Sequence, residues 1–420
     1  MSKYFLTIVF AAFAAIASSQ AVITVSPEAF GAKGDGMHDD APALNACIRS
    51  GKTIVLSKGG KYALHSRLVG IENDRFELLG NDATLVLADD YPLKEYDQIF
   101  GFADHEVQRE GFKMEHVRIE CFLGQKFSER SKRGDTYIIC LGKCRKAEIK
   151  YVDFVDFGEY NNVSFLVNTG ANLRFSDCHV TSHSKSLQGG ALWVMNKYLR
   201  TMSLEMRRVT VDYDTRDECF CIAHSAASGL AECDIKARIR DCTFTGPGQV
   251  QSSGFLIEYA HSDQSVTRFD VQFNACSFIS RGLYPHRIIF YQSGAVPGND
   301  FKTVYKKCRF VFKPQTHSEV GLIAMLPRKL GIDKQHIRTE FKSCSFDISN
   351  VCSIIGDKDG ETAGTCVFNN CDIITDEALF VRKYNPGAGD ITIQTVRGTM
   401  KGAGTRITTE SIEAKNTRFK

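Results

Sequence analysis

Phe273-Asn-Ala-Cys276-Ser-Phe278, Tyr305-Lys-Lys-Cys308-Arg-Phe310 and Phe341-Lys-Ser-Cys344-Ser-Phe346 are successive copies of one six-residue frame. Upstream stand Phe175-Ser-Asp-Cys178-His-Val180, Met206-Arg-Arg-Val209-Thr-Val211 and Ile239-Arg-Asp-Cys242-Thr-Phe244. Weaker copies are Met114-Glu-His-Val117-Arg-Ile119 and Ile149-Lys-Tyr-Val152-Asp-Phe154, and Phe368-Asn-Asn-Cys371-Asp-Ile373 and Ile393-Gln-Thr-Val396 follow downstream. The fourth positions lie 25 to 36 residues apart. That is too uneven for a helical repeat, and it suits a coil whose turns vary while its strands stay in register. Positions four and six are apolar around a polar fifth, the alternation of a strand with one buried face. The polar pair at positions two and three marks a bend that exposes side chains.

A second strand family lies between the frames: Tyr137–Leu141, Val163–Val167, Ala191–Met195, Phe220–Ala223, Phe255–Glu258, Arg287–Tyr291, Gly321–Met325, Cys352–Ile355 and Leu379–Val381. Each coil supplies at least two strands, and stacking coils about 4.8 Å apart pairs each strand with its copies above and below. The expected fold is all-β, a right-handed parallel β-helix solenoid. Cys178, Cys242, Cys276, Cys308, Cys344 and Cys371 then form an inward ladder interrupted by Val209. A disulfide needs Cβ atoms about 3.8 Å apart, closer than the rung spacing, so reduced core thiols are expected there. Pairing of Cys140 with Cys144 or Cys366 with Cys371 stays open. Trp193, in an apolar strand, reads as a core residue before a sugar-stacking platform.

Residues 1–21 read as a cleaved signal peptide: Lys3, an apolar run from Phe5 to Ala17, and small residues to Ala21. Residues 22–420 read as one β-helix domain, with an N-terminal cap at about 24–60, in a secreted or periplasmic protein without a membrane span. The 52 basic and 49 acidic residues leave a net +3, which gives no case for nucleic acid but leaves room for a local basic patch. Oligomeric state is not readable.

Ala29-Phe30-Gly31-Ala32-Lys33-Gly34-Asp35-Gly36 runs into Asp39-Asp40 and then an amphipathic segment carrying Ala43, Leu44, Cys47 and Ile48. Asp39 or Asp40 can N-cap a short helix with Pro42 in its first turn. Such a helix plugs the open end of a solenoid, whose strand edges would otherwise pair with other chains. Thr53-Ile-Val-Leu56 and Gly59-Gly60-Lys61-Tyr62 follow as first coils. From Phe30 to about Leu87 the chain resembles the N-terminal signature of the pectate-lyase-like β-helix superfamily, which includes polygalacturonase-type hydrolases, polysaccharide lyases and phage tailspikes. The resemblance implies a carbohydrate ligand. The polygalacturonase catalytic motifs are not carried: Asn168-Thr169 runs into Gly170, Arg238-Ile239 into Arg240, and no Gly-His-Gly occurs.

Function on a solenoid sits on outward side chains and turns. The richest candidates follow the second strand family: His224; Glu258, Tyr259, His261 and Asp263; His286, Arg287 and Tyr291; Arg328 and Lys329; Asp357 and Lys358. A polysaccharide lyase needs a base for the proton beside a carboxylate, a cation for that carboxylate, and an acid for the leaving oxygen. Tyr259 or His261 as base beside Glu258, with Arg287, Tyr291, Arg328 and Lys329 holding an acidic polysaccharide, is the sharpest arrangement. A hydrolase would want two spaced carboxylates, for which Glu258 with Asp263 or Asp357 is the candidate set. Asp212, Asp214 and Asp217 cluster in one turn where calcium, as the one candidate cofactor, would bind; a solvated acidic turn is the plainer reading. The lyase stands ahead of a hydrolase, and the alternative is a non-catalytic glycan-binding or structural β-helix.

Overall fold

A computed structural model describes residues 23–92, 98–123, 136–158, 163–182, 191–213, 220–224, 229–246, 254–260, 265–283, 287–293, 298–316, 318–327, 336–355, 365–375, 379–381, 391–398, 412–414 and 418–419. The expected signal peptide lies outside them.

The molecule is a β-solenoid. Its second strand family forms one ten-stranded sheet, in which Gln98–Gly101, Thr136–Leu141, Val163–Asn168, Leu192–Asn196, Phe220–His224 and their later copies follow one another in chain order. The frame strands form the other sheet, where Thr201–Arg207 pairs in parallel with Glu232–Arg240, which pairs with Val266–Asn274, then Asp300–Lys306, then His336–Lys342. Side chains separated by some thirty residues are therefore neighbours on adjacent rungs.

Frame position three is where each coil bends. His116, Tyr151, Asp177, Arg208, Asp241, Ala275, Lys307, Ser343 and Asn370 all have φ between 51° and 56°. Left-handed backbone costs a non-glycine residue roughly 1–2 kcal/mol, so its recurrence on these nine rungs identifies a structural corner. The following cysteine serves that corner. Cys178 reaches back to the carbonyl of Ser176 (3.0 Å), Cys242 to Arg240 (3.2 Å) and Cys308 to Lys306 (3.4 Å). The thiol is thus a weak donor across the bend as well as a small apolar filler, and Val209 fills the same place without the donor. All six ladder cysteines are at most 2% exposed. Burial pushes the Cys178 thiol up to about 12. Cys140, Cys144, Cys366 and Cys371, whose pairing the sequence leaves open, are free thiols like the rest of those described.

Frame positions one and six carry stacked rings through the core. Phe273, Tyr305, Phe341 and Phe368 form one row with centroids 4.9, 5.0 and 4.9 Å apart. Phe244, Phe278, Phe310 and Phe346 form a second, at 5.2, 5.0 and 4.7 Å. Offset ring pairs at this distance add roughly 0.5–1.5 kcal/mol beyond area burial, so the rung spacing itself sets the packing.

The helix Ala41–Ser50 closes the N-terminal end, with Ala41, Ala43, Leu44, Cys47 and Ile48 buried. Asp40 is the N-cap by position, but its carboxylate makes no cap bond. It accepts instead from the backbone N–H of Lys33 (2.7 Å) and Gly34 (3.1 Å), fastening the glycine-rich loop to the helix. Asp39 meets the helix start, accepting from Ala41 N (3.2 Å). Tyr62 explains the spacing of the signature: its ring lies under Gly34 (φ +60°), where a Cβ would sit 3.5 Å from it, and under Gly60, where a Cβ would come to 3.0 Å. Its hydroxyl bonds to Glu28 and accepts from Ser57 N (2.8 Å).

Candidate functional site

On the outward face of the frame strands, successive columns of side chains run up the solenoid. One reads Glu77, Lys113, Glu148, Arg174, Glu205, Arg238, alternating in sign rung by rung. Lys113 pairs with Glu77 at 2.9 Å and Arg174 with Glu205 at 3.3 Å. The corner column also alternates, through Asp177, Arg208 and Asp241, and Arg208 grips Asp177 with two bonds of 2.5 and 2.8 Å. The Arg208 guanidinium holds the Asp177 carboxyl below its ordinary range. Opposite charges on neighbouring strands stabilise a sheet, and like charges directly opposite destabilise it.

The column between these two breaks that rule. Frame position two carries Lys150, Ser176, Arg207, Arg240, Asn274 and Lys306 in continuous register. Arg207 and Arg240 are direct neighbours, one rung of about 4.8 Å apart. Among the described residues, none of Lys150, Arg207, Arg240 and Lys306 forms an ion pair with a carboxylate, while Arg174, Arg208 and Arg238 beside them do. Arg207, Arg240 and Lys306 are exposed. Lys150 lies 4.7 Å over the Tyr151 ring. Together they line a cavity of about 710 Å³ that presents seven basic and three acidic side chains. A linear anion lying along the solenoid axis would meet these cations in sequence.

Across the corner a smaller cavity, about 360 Å³, is lined by Asp82, His116, Arg118, Tyr151, Asp153, Asp177 and His179. Arg118 donates to Asp153 (3.0 Å), whose other oxygen meets His179 Nδ1 at 3.2 Å. His116 lies against Tyr151, centroids 4.5 Å apart. Asp153 holds His179, Asp82 lies 3.7 Å from His116, and both imidazoles are exposed.

The candidates named from sequence lie on the other sheet. Register sets Glu258 beside Tyr291 and in line with Ile222 and Val194, both core residues, while Tyr259 aligns with Ala223 and Gln292. Arg287 is opposite Gly254 and is 7% exposed. His224 is fully buried at the end of its strand, its Nδ1 3.0 Å from Oγ1 of Thr267 on a strand of the other sheet. Asp212 is exposed. His261, Asp263, His286, Arg328, Lys329, Asp357, Lys358, Asp214 and Asp217 lie outside the described residues. No group of three or more metal-ligating side chains occurs among the described residues. Trp193, expected in the core, is half-buried and stands in line with Val167 and Cys221, outside the core cluster.

No protein-family model and no curated protein matches the chain. Among solved structures it is similar to an N-terminal fragment of bacteriophage phi29 gene product 12, at 12% identity over 89% of this chain and 66% of that one, with a TM-score of 0.49. The Agl-KA catalytic domain is similar at 13% identity, 94% and 68% coverage and a TM-score of 0.46. The Streptococcus pneumoniae surface protein and adhesin PfbA is similar at 11% identity, 94% and 100% coverage and a TM-score of 0.44. The chain thus spans about two thirds of the phage fragment. These are loose likenesses of fold. No described helix is long and apolar enough to cross a membrane.

Proposed function

We propose that this chain is an exported right-handed β-helix, a single domain after removal of residues 1–21, that binds a linear acidic polysaccharide along the stripe from Lys150 to Lys306. The observation that carries the reading is the uncompensated register of Arg207 on Arg240 between two self-neutralising columns. Surfaces that break a local stability rule without internal compensation are where ligand contact is expected. A guanidinium offers a planar fork that matches a carboxylate, so two in register suit uronate groups better than hydroxyls.

The test is titration of the protein with polygalacturonate and with a neutral glucan at low and high salt. Salt-sensitive binding of the uronate alone is expected, weakened at least roughly tenfold, about 1.4 kcal/mol, by Arg207→Ala with Arg240→Ala. Equal binding of the neutral polymer would sink the reading.

A catalytic version, β-elimination by a lyase, rests on Tyr259, which is in register with Gln292 and one position out of the column that Glu258 shares with the core residues Ile222 and Val194. In this version Tyr259 or His261 takes the proton beside the uronate carboxylate, a carbon–carbon double bond forms as the glycosidic C–O bond breaks, and the leaving oxygen takes up a proton, with calcium at the Asp212 turn an optional aid. Ultraviolet absorbance of the unsaturated product would report it. Unchanged product formation in Tyr259→Phe with His261→Ala would remove the residue assignment.

A further inference from the structure

We infer that the stripe is an array of six rung-spaced subsites that takes a six-sugar stretch of a partly neutral polyuronate; this rests on the acidic-polysaccharide reading above. Lys150 to Lys306 is five rung steps, about 24 Å. A linked pyranose advances a polysaccharide by about one rung, so sugars and rungs stay in phase over that length.

The array is bounded at both ends. Below Lys150 the column continues as Glu115, which repels an anionic chain and is held by Lys113 at 3.1 Å. Above Lys306 it continues as Lys342, whose ammonium is already engaged by Glu340, a carboxylate that Arg338 holds as well. A longer anionic chain therefore meets a cation already engaged by a carboxylate at one end and repulsion at the other.

Within the array the charges are not uniform. The second and fifth places are Ser176 and Asn274, each between two cations. A hydroxyl and an amide can hydrogen-bond a sugar hydroxyl or an ester carbonyl but give a carboxylate no opposite charge. Uronates are thus read at the first, third, fourth and sixth places, and an esterified or neutral sugar is accepted at the second and fifth.

The experiment titrates the full chain with galacturonate oligomers from dimer to decamer, fully charged or methyl-esterified at random. Affinity should climb to the hexamer and change less than about twofold beyond it. Asn274→Arg, at an exposed position, should tighten the fully charged hexamer roughly two- to fivefold, and the heavily esterified one far less. A plateau already at the trimer, or an unbroken climb to the decamer, overturns the array while leaving polyuronate binding intact. Absence of salt-sensitive binding at every length overturns the underlying reading as well.

Discussion

Arg207 and Arg240 stand directly opposite one another on adjacent strands, where the columns to either side set a cation against a carboxylate. The fold can neutralise charge at this pitch and does so on both flanks. The unrelieved pair therefore weakens the free protein and strengthens its hold on an anion. Arg207→Ala should raise stability by a few tenths of a kcal/mol while weakening uronate binding. Denaturant titration and binding measured on one preparation check both signs; a loss of stability would contradict the repulsion.

The corner makes a second prediction. Ala275 has φ 53°, and its methyl group has no hydrogen bond to offer against the strain. Ala275→Gly should be neutral or stabilising, by up to about 1 kcal/mol, whereas Ala275→Val should destabilise by more than that. Chemical denaturation of the two variants side by side reads the difference.

Asp40→Ala removes an acceptor that holds two backbone N–H groups and is 1% exposed. A cost of about 1–3 kcal/mol is expected from the unsatisfied donors. The effect should be confined to the capped end, seen as faster hydrogen exchange at the helix and first coils while the central rungs keep their protection.

Asp35 contributes to the acid limb. Backbone N–H bonds from His38 (3.0 Å) and Met37 (2.9 Å) lower its carboxyl to about 2. A depressed folded pKa means that the stabilisation is complete above the unfolded value of 3.8 and is lost as pH falls toward 2. Asp35→Asn should remove this residue's share of the stability lost over that window and leave the share of the other depressed carboxyls, such as Asp177, in place. His38→Ala should move the midpoint only slightly, because backbone donors dominate; an NMR titration of the carboxyl decides.

Frame periodicity makes the solenoid, the thiol ladder and the second sheet legible from residue order alone, because stacking needs only that equivalent strands repeat. Position three, which reads as a bend, is the left-handed corner. Position two reads as polar, with its basic residues in plain view as Lys150, Arg207, Arg240 and Lys306. Their significance stays hidden in one dimension because it depends on which neighbours lack a carboxylate, a matter of register across rungs. Chemically versatile residues cluster after the second strands, yet alignment of Glu258 with Ile222 and burial of Arg287 follow from strand parity there. Asp40 stands where a helix cap belongs, but it fastens a loop that approaches only in three dimensions.

Because nine successive described coils, from His116 to Asn370, turn at the same left-handed residue, the chain carries a modular joint. One whole coil could be duplicated or deleted without redesigning its neighbours, since each meets only the coils above and below. The reach of the outward surface can then be lengthened or shortened in discrete steps while the core stays unchanged.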